Sequence, residues 1–403
     1  MNEPANTFIL NLSREAEKMR ISAYEKISGE EQTLKHYEDH AVSFIEIEKL
    51  CKEIVTLLNR ANRRGDITPE IINDLKKAGQ TLYDELLTPR VKNLLRSTLS
   101  ETLVLYIDDQ LVHIPWELLF DGQEFLCLKF GIGRIVSTRQ SITGIQKREK
   151  SESLKMLIVT DPQGNLDAAY KEGIKIRDEL RGHEDAIKGS LVSSKVDIQY
   201  IKKNIRDFDI VHYAGHADYD LKEPSQSGWV LSDGKWTSSD IAKMAGGAPL
   251  PFLIFSNACH SGRTGEWRIS EGFEKEIYGL ANAFLLSGVT HYIGTFWEVL
   301  DSPSSVFAIE FYKALGENAS VGSAIRIARK QLIELFGENT IIWASYMLYG
   351  DPTYKILDKA SHEKMDQLAG AAQETSPSET GFSHKMDTLR SSGAESNIKP
   401  QKN

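Results

Sequence analysis

The chain has 403 residues, 41% of them hydrophobic and 26% charged, with a formal net charge of −9. This balance fits a globular protein of two structured units plus a tail, and its sign argues against a surface built for nucleic acid. Three scattered cysteines, Cys51, Cys127 and Cys259, exclude a disulfide framework and fit a reducing cytoplasm, and neither a secretory signal nor an apolar run near the ~18 residues of a membrane span is readable.

From about Asn11 to Ser97 the sequence reads as helical. The run SFIEIEKLCKEIVTLLNRAN sets Phe44, Ile47, Leu50, Ile54 and Leu57 or Leu58 three and four apart, one apolar stripe with charged flanks. The break at GDITPE offers Thr68 as an N-cap and Pro69 at the first helical position, and a second amphipathic helix, IINDLKKAGQTLYDELLT, follows. Residues 1–99 are therefore expected to form an N-terminal helical module, a hairpin or small bundle without a chemical motif of its own.

After Ser100 the pattern changes. TLVLYID, FGIGRIVST, LKMLIVTD, FDIVHYAG, PFLIFSNA and VTHYIGTF are short runs of Val, Ile, Leu and aromatics, several nearly continuous, as in strands buried on both faces. Between them lie the helical stretches AAYKEGIKIRDELRG, GFEKEIYGLANAFLLSG and SSVFAIEFYKALGEN. This alternation predicts an α/β domain over 100–358, a mainly parallel sheet covered by helices on both faces. Residues 359–403 are polar, poor in large apolar side chains, and expected to be a disordered tail.

Two strand ends carry candidate chemistry. FDIVHYAGHADYD runs into His216, and PFLIFSNACHSG ends at Cys259, 43 residues later. Active sites of parallel sheets gather beyond the carboxyl ends of the strands, so the two residues could face one another across one crevice. A thiolate is the attacking species, and an adjacent imidazole can take the thiol proton. Gly215, Ala217, Ala258, Ser261 and Gly262 are small enough to let backbone N–H groups approach an oxyanion. Taken singly, such a Cys is as readily a buried hydrophobe, and such a His a satisfied core residue. His212 and His216 have the spacing of a helical zinc pair, but they sit on a strand, Tyr213 stands where Glu is required, and Gly215 intervenes, so neither metal nor cofactor is expected.

Five segments together resemble a known family. They are LVHIPWELLFDGQEFLCLKFGIGRIVST, VHYAGHADYD, SNACHSG, EGFEKEIYGLANAFLLSGVTHYIGTFWEVLD and WASYMLYGDP. In their order and spacing the chain from about Thr102 to Leu357 resembles a CHAT domain, a caspase-like branch of the clan that also holds separase, gingipain and clostripain. The resemblance implies that His216 is the general base, that Cys259 is the nucleophile, and that the amides of Cys259 and Ala217 form the oxyanion hole. It leaves His212 structural; His260 is a rival base by proximity, although adjacent strand residues point apart. Family members often have Gly where Ala217 stands, and caspases read Q-A-C-x-G where this chain reads N-A-C-H-S-G, so a preference for aspartate does not carry over. By analogy with separase-like relatives, acids in TFWEVLD would favour a basic residue before the cut. Glu298 and Asp301 lie there, and Asp218 and Asp220 follow the histidine box; as a plain reading they are solvated acids or caps.

The function implied is a cysteine endopeptidase that cuts a protein partner when an activating protein or ligand triggers it, as many relatives do in bacterial defence or cell death. A catalytically silent signalling scaffold and a hydrolase of small amides are the alternatives. The polar stretch RTGEWRISEGFEK after Cys259 suits a loop that orders on activation, and Arg263 and Arg268 would be self-cleavage points for a basic-selective enzyme.

Overall fold

The computed structural model describes residues 6–27, 35–64, 68–140, 146, 148–149, 151, 153–220, 223–260, 273–295, 301–338 and 340–357. The chain opens not with a helix but with strands β1 (Thr7–Glu15), β2 (Lys18–Lys26) and β3 (Glu38–Ala41). Phe8, Leu10 and Leu12 recur at every second position of β1, with Ile9 buried between the first two, and Met19, Ile21 and Ala23 alternate with more polar residues along β2, the apolar set being buried. That period of two is a strand's, and it lay beneath the charged residues that gave the segment its helical look. The expected module of 1–99 is thus corrected. Its helices are confined to α1 (Phe44–Arg64), α2 (Pro69–Leu86) and α3 (Pro89–Ser97), and β1 pairs in parallel with β4 (Thr102–Asp108), so the two ends of the presumed boundary share one sheet. In α1 the buried stripe runs Phe44, Ile47, Cys51, Ile54 and Leu58, with Leu50 only partly covered.

A short helix α4 (Leu126–Lys129) leads to β5 (Gly131–Ser137). Then follow β6 (Leu154–Thr160), α5 (Asp167–Leu180), β7 (Ile187–Ser193), α6 (Ile198–Asn204) and β8 (Ile210–Asp218). Next come β9 (Gly228–Leu231), β10 (Gly234–Thr237), α7 (Ser238–Ala242), β11 (Leu253–His260), α8 (Phe273–Leu286) and β12 (His291–Thr295). The last elements are α9 (Asp301–Gly316), α10 (Val321–Phe336) and β13 (Tyr346–Tyr349).

All these strands join one sheet, in the order β10-β9-β8-β11-β12-β13-β5-β4-β1-β2-β3, with β6 also on β8 and β7 outside β6. The segment β7-β6-β8-β11-β12 is parallel throughout; β13 enters antiparallel to β12. Successive side chains of a strand point to opposite faces, and β8 shows what each face meets. His212 contacts Tyr312 of α9, whereas Tyr213 stacks on Trp229, which in turn packs on Phe284 of α8. Helices therefore cover both faces, as the apolar strands require. Among the described residues no helix is long and apolar enough to cross a membrane.

The Pro-Trp-Glu-Leu run has a structural use. Glu117 pairs with Arg134 of β5, both fully buried; the guanidinium also donates to the carbonyls of Val112 (2.8 Å) and Ile114 (3.2 Å), and Trp116 Nε1 donates to Leu111 (3.1 Å). Removing one partner of such a pair strands the other charge in the core. Arg134→Met is expected to cost about 3–5 kcal/mol in urea unfolding, whereas replacing a surface arginine such as Arg20, paired with Glu15 and Asp39, should cost under ~1 kcal/mol.

Candidate active site

β8 and β11 run side by side in parallel from Ile210↔Leu253 to Ala217↔His260, and this register sets Cys259 directly opposite His216. Two residues 43 apart in sequence thus occupy neighbouring positions, ~4.8 Å from strand to strand, at the carboxyl ends of the central strands. Cys259 and His260 are described through their backbone only.

A loop between β6 and α5 meets His216. Asn165 Oδ1 lies 3.2 Å from the ring Nε2, while Nδ1 is buried without a hydrogen-bond partner among the described residues. With the amide oxygen facing the ring, Nε2 carries the hydrogen and donates it, and Nδ1 keeps its lone pair. Burial lowers the imidazole pKa from its ordinary 6.5, against the opposing pull of the Asp161 carboxylate. The ring is thereby held in its neutral, basic form.

Asp161 organises that loop. Its Oδ1 accepts from the amides of Asn165 (2.8 Å) and Leu166 (2.9 Å), and its own amide donates to Ala214 of β8 (2.9 Å). The loop is so tied to β8 two residues before His216. Tyr213 fixes the strand end from the other face, its hydroxyl within reach of the carbonyls of His216 (2.6 Å) and Val230 (3.0 Å). Burial pushes that phenol well above its ordinary pKa, so it stays a donor. Gly215 is required between them, because a Cβ there would come within 2.9 Å of Pro162 and of the Tyr213 hydroxyl.

His212 is fully buried and belongs to a network beneath the pair. Its Nε2 donates to Glu172 Oε1 (2.9 Å) and its Nδ1 lies 3.0 Å from the Tyr312 hydroxyl. Asn257, two residues before Cys259, donates to both oxygens of Glu172 (2.9 and 3.0 Å), and Ser304 of α9 reaches Oε2 at 3.5 Å. Among the described residues no three side chains are grouped to hold a metal ion.

The predicted acids are dispersed. Asp218 pairs with Lys235 at 2.7 Å, and Asp220 accepts from the amide of Glu223 (3.0 Å). Asp301 opens α9 and is described through its backbone only; Glu298, Arg263, Arg268 and most of the stretch after Cys259 lie outside the described residues. Ala217 is bracketed by backbone, paired with His260 on one side and Trp229 of β9 on the other. Sequence reasoning missed Asn165, Asp161 and Glu172. The first two lie in a turn-like DPQGN with no periodicity to mark them. Glu172 did leave a signal, falling with Ala169, Gly173, Ile176 and Leu180 on the buried side of α5.

Comparison with known proteins agrees with this architecture. The family model described as "CHAT domain" matches residues 76–351. Among solved structures, the separase–securin complex of Saccharomyces cerevisiae at 2.6 Å resolution aligns with a TM-score of 0.50 and 15% identity, over 85% of this chain and 30% of that one. This chain thus spans less than a third of separase, and the likeness is one of fold. The Arg-specific cysteine proteinase gingipain R aligns with a TM-score of 0.45 and 16% identity, over 72% of this chain and 69% of that one. No curated protein sequence matches.

Proposed function

Since the chain belongs to the CHAT-domain family and has a caspase-like fold, we propose that it is a cysteine endopeptidase with Cys259 as nucleophile and His216 as base. The observation that carries this reading is the register opposing the two residues at the carboxyl ends of β8 and β11. His216 Nδ1 takes the thiol proton, and the sulfur attacks the scissile carbonyl. The oxyanion is received by the amides of Cys259 and Ala217. For Ala217 this requires the outer end of its ladder to part, which makes activation by a protein or ligand a step that completes the site. The intermediate collapses as His216 returns the proton to the leaving amine, and water, deprotonated by His216, then hydrolyses the thioester. Asn165 acts on the ring from behind, holding the tautomer.

The substrate is a protein partner, and the setting a regulated effector of bacterial defence or cell death in the cytoplasm, with no direct nucleic-acid binding. Glu298, Asp301 or Asp218 would hold a basic residue before the cut, Asp218 only by exchanging Lys235 for the substrate's cation.

Alkylation tests the mechanism without a known substrate. Cys51 and Cys127 are buried, and burial pushes the Cys127 thiol up to about 12, so iodoacetamide should modify Cys259 first. We expect Cys259 to react faster than a free cysteine at neutral pH, and Cys259→Ala to abolish both labelling and cleavage while unfolding as wild type does. Reaction no faster than a free thiol, with activator present, would favour a silent scaffold instead.

A further inference from the structure

Among the described residues, β3, β7 and β10 each have a strand on one side only. β3 and β10 are four residues long, and β3 carries Glu38, Asp39 and His40; short, charged strands discourage a neighbour. β7 is different. It has seven residues, no proline and a single charge, Lys188, and it keeps unbroken register with β6 from Leu154↔Ile187 to Thr160↔Ser193.

The direction of its free backbone groups is fixed by that ladder. The Ala186 carbonyl accepts from the Leu154 amide (2.9 Å), and the Ser194 amide donates to the Asp161 carbonyl (3.1 Å). The even-numbered residues between them therefore turn toward β6, and Ile187, Gly189, Leu191 and Ser193 present their amides and carbonyls outward. Among the described residues nothing hydrogen-bonds to these outward groups.

A second copy of β7, laid antiparallel, fits this edge. Antiparallel pairing joins outward residues only to outward residues, each pair exchanging two bonds. All four are used when Ser190 meets its own image on a twofold axis, so that Ile187 faces Ser193 and Gly189 faces Leu191 across it. The side chains agree with that register. α5 covers one face of the strand, where Leu191 packs on Gly173 and Gly189 lies beneath Leu180. The new contacts fall on the other face, where Lys188 and Ser190 are exposed and Val192 is half-buried. Lys188 would lay its stem along Val192 of the other copy, and the two Ser190 hydroxyls would hydrogen-bond. Charge matches at the ends as well. Exposed Glu184 and Asp185 precede β7 and exposed Lys195 follows it, none of them in an ion pair among the described residues. Antiparallel copies bring acid to base there, whereas parallel copies would set acid beside acid.

We propose that β7 is the interface of a twofold dimer in which two copies of this chain join their sheets through this strand. Each chain has one such edge, so the assembly closes at two. The interface would also brace the loop behind the base, because Ser194 and Val196 donate to the carbonyls of Asp161 and Pro162 (3.1 and 3.2 Å). The dimer does not depend on the peptidase reading.

Sedimentation equilibrium of the full chain, carrying Cys259→Ala to remove that thiol, should give twice the 45.3 kDa of one chain and show dissociation on dilution. Ser190→Lys sets like charges opposite one another at an exposed position. It should raise the dissociation constant about tenfold or more and leave the urea midpoint of the monomer unchanged. Ser190→Cys should form a disulfide between copies on mild oxidation, since an antiparallel pair of this kind has its Cα atoms ~4.5 Å apart. Lys188→Cys should not, because its image lies four residues along the strand, ~14 Å away. A chain that is monomeric at every concentration, a dimer unmoved by Ser190→Lys, or equal cross-linking from Lys188→Cys would overturn the proposal. A monomer that loses its protein partner on Ser190→Lys would overturn it too, and assign the edge to that polypeptide.

Discussion

His216→Ala is expected to lower cleavage of the natural partner by roughly 10²–10⁴-fold, the span over which positioned general bases act, with little change in substrate affinity. The loss should come with a changed pH profile. On that mechanism the wild-type rate should follow the neutral imidazole, whose pKa burial lowers from 6.5. The acid limb should therefore fall below pH 6.5, where the ring gains its proton, and activity should be flat above it until other groups titrate. Asn165→Asp places a second carboxylate behind the ring. It favours the protonated form, so the acid limb should move to higher pH. The rate of Cys259 alkylation against pH reads the same titration without substrate. An acid limb unmoved by Asn165→Asp would remove Asn165 from its positioning role.

Glu172→Ala should have the largest effect on stability. Glu172, 4% exposed, accepts from His212, Asn257 and Ser304, and so fastens α5 to β8, β11 and α9 at one point. Its loss leaves several buried donors without an acceptor, each costing ~1–3 kcal/mol. Allowing for relaxation, we expect a total of about 3–5 kcal/mol in urea unfolding. Glu172→Gln keeps one acceptor oxygen and should lose less than half of that. Because Asn257 stands two residues before Cys259, the alanine variant should also slow Cys259 alkylation in the fraction that remains folded. Normal alkylation in a destabilised variant would show that the network supports the fold alone.

β4, β5, β6, β8, β11 and β12 are legible in the sequence because a strand buried on both faces is a short, nearly continuous run of Val, Ile, Leu and aromatics. His216 and Cys259 are legible because they interrupt that pattern where a strand should end. Their exact opposition is not, since register depends on how the whole sheet twists and pairs. β1 was masked because Ile9 adds a buried apolar residue to its alternation, and β2 because its flanking charges suit a helical reading equally well. Glu172 and Arg134 run against composition altogether. A charged residue reads as solvent-facing, and only the partner that neutralises or satisfies it, distant in sequence, can bring it inside. Asn165 depends on a turn whose shape Asp161 sets, and no local pattern encodes that contact.

The place of β13 carries a further consequence. One side of this strand meets β12, and the other meets β5 at Tyr349↔Arg134, with the Gly350 amide donating to the Arg134 carbonyl (2.9 Å). Beyond β5 the chain supplies its own β4, β1, β2 and β3. An unpaired strand invites a neighbour molecule to complete it, but here the chain has already filled that position with its own opening segment. Excising residues 7–26 would thus leave the seven-residue, apolar β4 as an edge, where the intact chain closes that side of the sheet with the four-residue, polar β3. Such a truncation is expected to self-associate more readily than the full chain.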